Sequence, residues 1–340
     1  MNSCNIIEYD CNDEALIVWI YPSARPEQKN HILKKFSKFH QKNEPFFYGQ
    51  FEKEWFYLVL DSVTDSNILP GVKKISIVLW ADDFNPLKYK KLCSIISSSY
   101  LQSGNPTKVL SLYLSVFIKG TYDSGNGIYS VENYEGKQLK LPKNLIKTLI
   151  RNLQLEFIFI YLGILLKKRL VFYCDSVQGL LQLFQIIPSI IHHRSDTSIL
   201  HPFIDLSGGD TTILEKIDNF VAGCDSKYIY ELTDLYDILV DVPNAKITVT
   251  EAVKDSLVLT KSSKEIAKYI VSLANDENST DEQIITEISS KTEEVLSQLR
   301  SLADENDQKI SAKALKGRQL SPVIETFLLQ LAKSENILKD

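Results

Sequence analysis

The sequence predicts an α/β protein, α+β overall, built from an antiparallel-sheet lobe, an α/β lobe and a helical tail. Three observations carry that expectation. Between residues 5 and 80, β-branched and aromatic runs follow one another mostly across short polar links, which suit antiparallel strands. Between 145 and 242, apolar runs of strand length alternate with runs of helical period, which suits a mostly parallel sheet covered on both faces. Beyond 260 the apolar residues recur in steps of three and four, so the tail is helical.

In the first lobe, residues 5–10 and 15–21 read as strands joined by the polar link 11–14. A helix follows over 27–39, with Ile32, Leu33, Phe36 and Phe39 at helical spacing. Strands are expected at 45–51, at 54–60 across a tight Glu52-Lys53 turn, and at 73–80. Two helices close the lobe, opened by Asn85-Pro86 and Asn105-Pro106. Asn caps free amides, and Pro is tolerated at the first helical position because its missing N–H would have no partner there. Gly104 stops the first of them in a left-handed conformation. Residues 120–140, rich in Gly, Ser, Asn and Glu, show almost no periodic apolar signal and read as a linker.

In the second lobe, 145–166 is apolar on nearly every face and reads as one or two buried helices ended by Lys167-Lys168-Arg169. Its longest apolar run, 153–166, contains Glu156 and is shorter than a bilayer span requires, so no transmembrane segment is expected. A central strand follows at 170–173 and a helix at 177–191 with Leu180, Leu181, Phe184 and Ile187 in one stripe. Strands are then expected at 201–206, 220–222 and 236–242, with a short helix at 212–217. In the tail, a helix covers 262–275 and another starts at Ser279-Thr280, with Glu282 and Gln283 at capping-box spacing. Ile285, Ile288, Thr292, Val295, Leu299 and Leu302 trace a short heptad-like seam, but Ile284 and Leu296 widen it toward a bundle helix. Pro322 precedes a last amphipathic helix carrying Ile324, Phe327, Leu328 and Leu331. The expected division is 1–138, 139–278 and 279–340.

The formal net charge of -5 gives no general help in binding nucleic acid, whose affinity rests on many Lys and Arg contacts to phosphate. Five scattered cysteines with no CxxC pair suggest neither a zinc site nor a disulfide framework, and free thiols suit a reducing compartment. No basic-then-apolar leader opens the chain, so a cytoplasmic location is expected. The chain has no GxxxxGK phosphate loop, no GxGxxG after a strand, no HExxH and no GxSxG, and no nucleophile beside a base. Ser207-Gly208-Gly209-Asp210 reads as a strand-to-helix turn with Asp210 as cap. No catalytic residue, cofactor or metal ligand is assigned. The densest polar cluster is His192-His193-Arg194-Ser195-Asp196. Adjacent histidines on a helix diverge by about 100°, so they do not face one metal together. Just past an apolar helix, this cluster suits capping or a surface contact, and charge reversal at Arg194 and Asp196 is expected to leave the fold intact.

Several stretches resemble the DENN-domain family. LGILLKKRLVFYCDSVQGLLQLFQIIPSII (162–191) is similar to the start of its central lobe, NFVAGCD (219–225) to a strand closing on Gly, and DLYDILVDV (234–242) to its closing strand. IYPS (20–23), YGQ (48–50), WFY (55–57), DFNP (83–86), LLKKR (165–169), HHRSD (192–196) and LYD (235–237) resemble the small stand-alone subfamily numbered ten. The resemblance implies a longin-like first lobe, a central DENN lobe and a helical downstream region. It also implies an endosomal traffic protein that engages a Rab GTPase or the coiled-coil subunits of a Commander-type recycling assembly on late endosomes. Guanine-nucleotide exchange is one implied activity; it needs no catalytic triad, only tighter binding to the nucleotide-poor GTPase. The better-known exchange factors carry a Trp- and Pro-rich stretch after the central helix, whereas residues 192–206 here contain no Trp. That departure favours an adaptor. The candidate partner-binding residues are His192, His193, Arg194, Asp196, Tyr236 and Asp237.

Overall fold

A computed structural model describes residues 1–340 except 13, 43, 65–66, 124–126, 133–142, 191, 195, 208, 305–308, 313–314, 316–317, 319 and 340, and the side chains of 36–42. The Phe36 and Phe39 side chains, Ile191, Ser195, Gly208 and the 133–140 part of the expected linker therefore lie outside the described residues. The chain forms two units, Met1–Lys140 and Leu141–Asp340.

The first unit is a five-stranded antiparallel sheet in the order β2-β1-β5-β4-β3. Its strands are β1 (Ser3–Tyr9), β2 (Ala15–Tyr21), β3 (Phe46–Phe51), β4 (Glu54–Ser62) and β5 (Lys74–Ala81), with α1 (Pro26–Lys42) between β2 and β3. Glu52 and Lys53 both take positive φ, 49° and 71°, so the β3–β4 turn twists with its strands. On one face α2 (Pro86–Ser103) packs on β4 and β5, and α3 (Pro106–Lys119) packs on α2. Tyr57 of β4 stacks on Tyr89 of α2 at 4.4 Å, and its hydroxyl accepts from the Asn85 amide at 2.9 Å. The sheet thereby sets where α2 begins. Asn85 and Asn105 cap as expected, accepting from the Lys88 and Thr107 amides at 3.2 and 2.9 Å, and Gly104 closes α2 at φ 57°. On the opposite face Phe56 and Trp80 pack together, and His31 of α1 lies 4.3 Å from the Phe51 ring.

The expected linker differs in its first half. Thr121–Asp123 (β6) and Ile128–Ser130 (β7) form a hairpin beside α2, and Tyr129 is 1% exposed. Strands of three residues are too short to register as a period, which is why composition alone suggested a loop.

The second unit holds a five-stranded sheet in the order β12-β11-β8-β10-β9. β8 (Leu170–Tyr173) lies at its centre, parallel to β10 (Val221–Cys224) and β11 (Ile238–Asp241). β9 (Leu200–His201) is only two residues long where six were expected, because Pro202 has no amide to continue the ladder. β12 (Lys246–Val249) runs antiparallel to β11 and was not foreseen: its residues alternate between exposed and half-buried, leaving little apolar signal. Before β8 come α4 (Leu145–Leu153) and α5 (Phe157–Leu165), joined by a tight turn at which Gln154 takes φ 51°. The stretch Leu145–Leu165 is long and apolar enough to cross a membrane by length and composition, but most of its apolar part is buried inside the fold, as in a core helix pair. α6 (Val177–Ile190) lays Phe184 edge-on to Phe172 of β8 at 6.0 Å. The other face of the sheet is covered by α7 (Asp210–Leu214) and a 3-10 turn, Lys227–Glu231, through Leu214, Ile229, Leu235 and Tyr236.

The tail belongs to this same unit. After the short α8 (Glu251–Lys254) come α9 (Lys261–Asn275) and α10 (Asp281–Arg300), the latter opened by the reciprocal Thr280–Gln283 capping box. α10 buries Ile284, Ile288, Thr292, Leu296 and Leu299, a stripe too wide for a two-stranded seam, so it is a bundle helix. Thr292 and Tyr161 of α5 share a hydrogen bond of 3.1 Å. Lys147 of α4 is buried and donates to the carbonyls of Asp276, Glu277 and Ser279 at 2.6, 3.3 and 2.8 Å, clasping the α9–α10 turn. α11 (Pro322–Ser334) follows, and the pair β13 (Ile310–Ser311) and β14 (Leu338–Lys339) runs parallel beside it.

Candidate partner-binding surfaces

The end of α5 organises the predicted polar cluster. A helix leaves its last carbonyls without intrahelical partners. Here Arg194 donates to the carbonyls of Ile164 at 2.9 Å and Leu165 at 2.7 Å, and Ser334 Oγ donates to Leu165 at 3.1 Å. The guanidinium also meets Glu335, whose carboxylate has His193 Nε2 at 3.5 Å. Burial pushes the Glu335 carboxyl up, but the His193 and Arg194 contacts outweigh it and hold the group at about 2. The cation-at-a-helix-end reading thus applies to α5, whose Ile164 and Leu165 lie 30 and 29 residues before Arg194, and not to the adjoining α6. His193 and Arg194 are half-buried and engaged within the unit, so charge reversal at Arg194 is now expected to destabilise this region, against the sequence expectation: it would set two carboxylates against each other and strip the α5 cap. His192 and Asp196 are exposed. Asp196 Oδ1 accepts from the Ser198 amide at 2.8 Å and borders a polar cavity of about 340 Å³ with Lys167, Arg194, Asn219 and Glu335.

Tyr236 and Asp237 are interior groups, 2% and 7% exposed. Asp237 accepts from the Arg169 amide at 2.8 Å and from Nη2 at 2.9 Å, and its own amide donates to the Arg169 carbonyl at 2.8 Å. These bonds set the register in which β11 starts beside β8, so the expected surface role of Tyr236 and Asp237 gives way to a structural one. Local sequence could not reveal this, because Arg169 and Asp237 are 68 positions apart.

A second surface went unread. α5, α9, α10 and α11 enclose an open apolar groove of about 590 Å³, with Tyr161 and Leu165 toward α5, Ile266 and Val295 on α9 and α10, and Ile324 and Phe327 on α11. Its rim is mostly neutral and polar, including Ser262, Gln298 and Ser301, and it continues between α9 and α10 toward Tyr269 and Lys291. The signal was present in the apolar stripe of α11. That stripe reads as core, yet Leu331 and Ala332 are buried while Val323 and Ile324 are 36% and 38% exposed.

Among the described residues no group of three or more His, Cys, Asp or Glu is placed to hold a metal ion. Cys4, Cys93 and Cys224 are buried, and burial raises each thiol, Cys224 to about 12, which is opposite to what a nucleophilic thiolate requires.

Residues 143–251 match the family model described as "Stabilization of polarity axis". The chain is 35% identical over 343 residues to DENN domain-containing protein 10 of Danio rerio, covering 100% of this chain and 98% of that protein. It is 32% identical over 346 residues to the Homo sapiens protein of the same name, covering 100% and 97%. With the Dictyostelium discoideum protein of that name the identity is 30% over 357 residues, covering 99% and 97%. Similarity at this level, sustained from end to end, means that the chain belongs to the DENN domain-containing protein 10 family.

Proposed function

We propose that this chain acts in membrane traffic as a partner-binding DENN module, an adaptor subunit of a Commander-type endosomal recycling assembly. It is held at late endosomes by its partners. The observation that carries this reading is the open apolar groove between α5, α9, α10 and α11. A coiled-coil subunit presents apolar residues in steps of three and four along one helix face, and such a face suits an apolar trough with a polar rim. Along α10 the groove is lined by Val295 and Gln298, and it continues past the helix end to Ser301 and Leu302, about two helical turns.

The test is capture of purified coiled-coil subunits and of endosomal Rab GTPases, with and without EDTA, by the chain and by Ile324→Asp. Ile324 is 38% exposed on the groove wall, so the substitution places a charge there with little cost to folding. The adaptor reading expects EDTA-insensitive capture of a coiled-coil subunit that Ile324→Asp weakens at least about tenfold. EDTA-dependent capture of one Rab, with fluorescent GDP release accelerated by about a hundredfold or more, would instead make exchange the activity.

A further inference from the structure

The outer surface of the central lobe carries exposed aromatic and aliphatic side chains that neither the groove nor the α5 cap uses. The layer covering one face of the parallel sheet is made of irregular connections, and it shows Ile213, Tyr228 and Tyr230 to solvent at 55%, 52% and 39% exposure. Their sequence neighbours Leu214 and Ile229 are buried in one cluster beneath, so this layer is anchored. Tyr230 is fixed from two sides: its ring lies 5.5 Å from that of Tyr173, and its hydroxyl donates to Asp241 at 2.6 Å. A pre-positioned tyrosine of this kind is what binding hot spots are made of.

Acidic groups outnumber basic ones near these rings, where Lys227 and Lys246 are the neighbouring cations. Asp175, Asp225 and Asp241 stand at the carboxyl ends of the neighbouring strands β8, β10 and β11, and Glu231 closes the 3-10 turn. The field reaches the aromatic groups: after burial, the main causes raising the Tyr173 phenol are the charges of Asp175 and Asp241. In open α/β sheets the carboxyl ends of the strands are also where ligands most often sit.

We infer that the Tyr228–Tyr230 face, bordered by Asp175, Asp225 and Glu231, is a docking surface for a Lys/Arg-rich segment of a partner protein. Charge complementarity selects that occupant. Nucleic acid and anionic lipid are repelled by the same carboxylates, whereas an arginine both pairs with them and stacks on an exposed tyrosine ring. This surface is separate from the groove, so it stands or falls independently of the adaptor reading.

The probe is a fluorescein-labelled peptide of alternating arginine and leucine, titrated with the full chain by fluorescence anisotropy. Three single variants are compared: Tyr228→Ala, Glu231→Lys, and Glu277→Lys as a charge-matched control at an exposed site in the α9–α10 turn. Thermal melting verifies that each is folded. The expected result is an affinity loss of about tenfold for Tyr228→Ala and Glu231→Lys and less than about twofold for Glu277→Lys. Equal losses for Glu231→Lys and Glu277→Lys would reduce the effect to net charge and overturn the proposal. So would an unchanged affinity for Tyr228→Ala, or no measurable binding at about 0.1 M salt.

Discussion

Replacing Arg194 by Met keeps the aliphatic stem and removes the guanidinium. Glu335 then loses the guanidinium, and the Ile164 and Leu165 carbonyls lose two donors. The magnitude follows from the carboxyl. A group held at about 2 against an ordinary 4.5 contributes roughly 3 kcal/mol at neutral pH. His193 supplies part of that and partial exposure screens some of it, leaving roughly 1.5 kcal/mol to the guanidinium. Two carbonyls left to weaker partners add about the same again. A total near 3 kcal/mol lowers the Tm of the Leu141–Asp340 unit by roughly 6–12 °C. The pH dependence has a definite sign. The folded value lies below the unfolded one, so this stabilisation is complete above 4.5 and is lost as pH falls toward 2. Differential scanning calorimetry of wild type and Arg194→Met from pH 7 to pH 3 is the assay, and the Tm gap should narrow below about pH 5. A gap under about 1 °C at pH 7, or one that stays constant down to pH 3, refutes the clasp.

Three further substitutions test the architecture. Phe172→Asp puts an unpaired charge at a fully buried position of the central strand and should cost at least several kcal/mol, read as loss of soluble protein; a soluble variant with unchanged Tm would contradict the strand's placement. Gly223→Ala drives a methyl to 2.5 Å from the Pro202 carbonyl and 3.0 Å from the Phe184 ring, so urea unfolding should show a loss of roughly 1–3 kcal/mol; a loss below about 0.5 kcal/mol would mean that the sheet and α6 part freely. Lys147→Met strips the shared donor from the α9–α10 turn and should cost about 2 kcal/mol, with amide exchange at residues 276–280 accelerated more than within α10; uniform exchange would remove the turn from its control.

Features governed by nearest neighbours were legible in the sequence. Asn85-Pro86, Asn105-Pro106 and Gly104 announce helix ends because capping is settled within a few residues, and the Thr280–Gln283 box is read in the same way. Features governed by distant partners were not. Arg194 looked like a surface charge because Glu335 lies 141 positions away, and Asp237 looked like one because Arg169 lies 68 away. β12 and the β6–β7 hairpin escaped for another reason: short, half-exposed strands hide in composition. The groove escaped because an amphipathic stripe shows only that a helix has an apolar face, not whether the fold covers it.

The way the tail closes over α5 also sets a schedule for making this protein. Tyr161 waits for Thr292, 131 residues downstream, and the Leu165 carbonyl waits for Ser334, 169 residues downstream. At ordinary rates of translation that delay is on the order of ten seconds or more. Throughout it, the nascent chain presents Leu145–Leu165, a stretch whose length and composition satisfy a bilayer as well as they satisfy a protein interior. Loop-closure entropy also keeps the late contacts from forming early. During synthesis this apolar segment therefore stays uncovered until the last helices arrive, and a need for chaperone protection at that stage is the expected consequence.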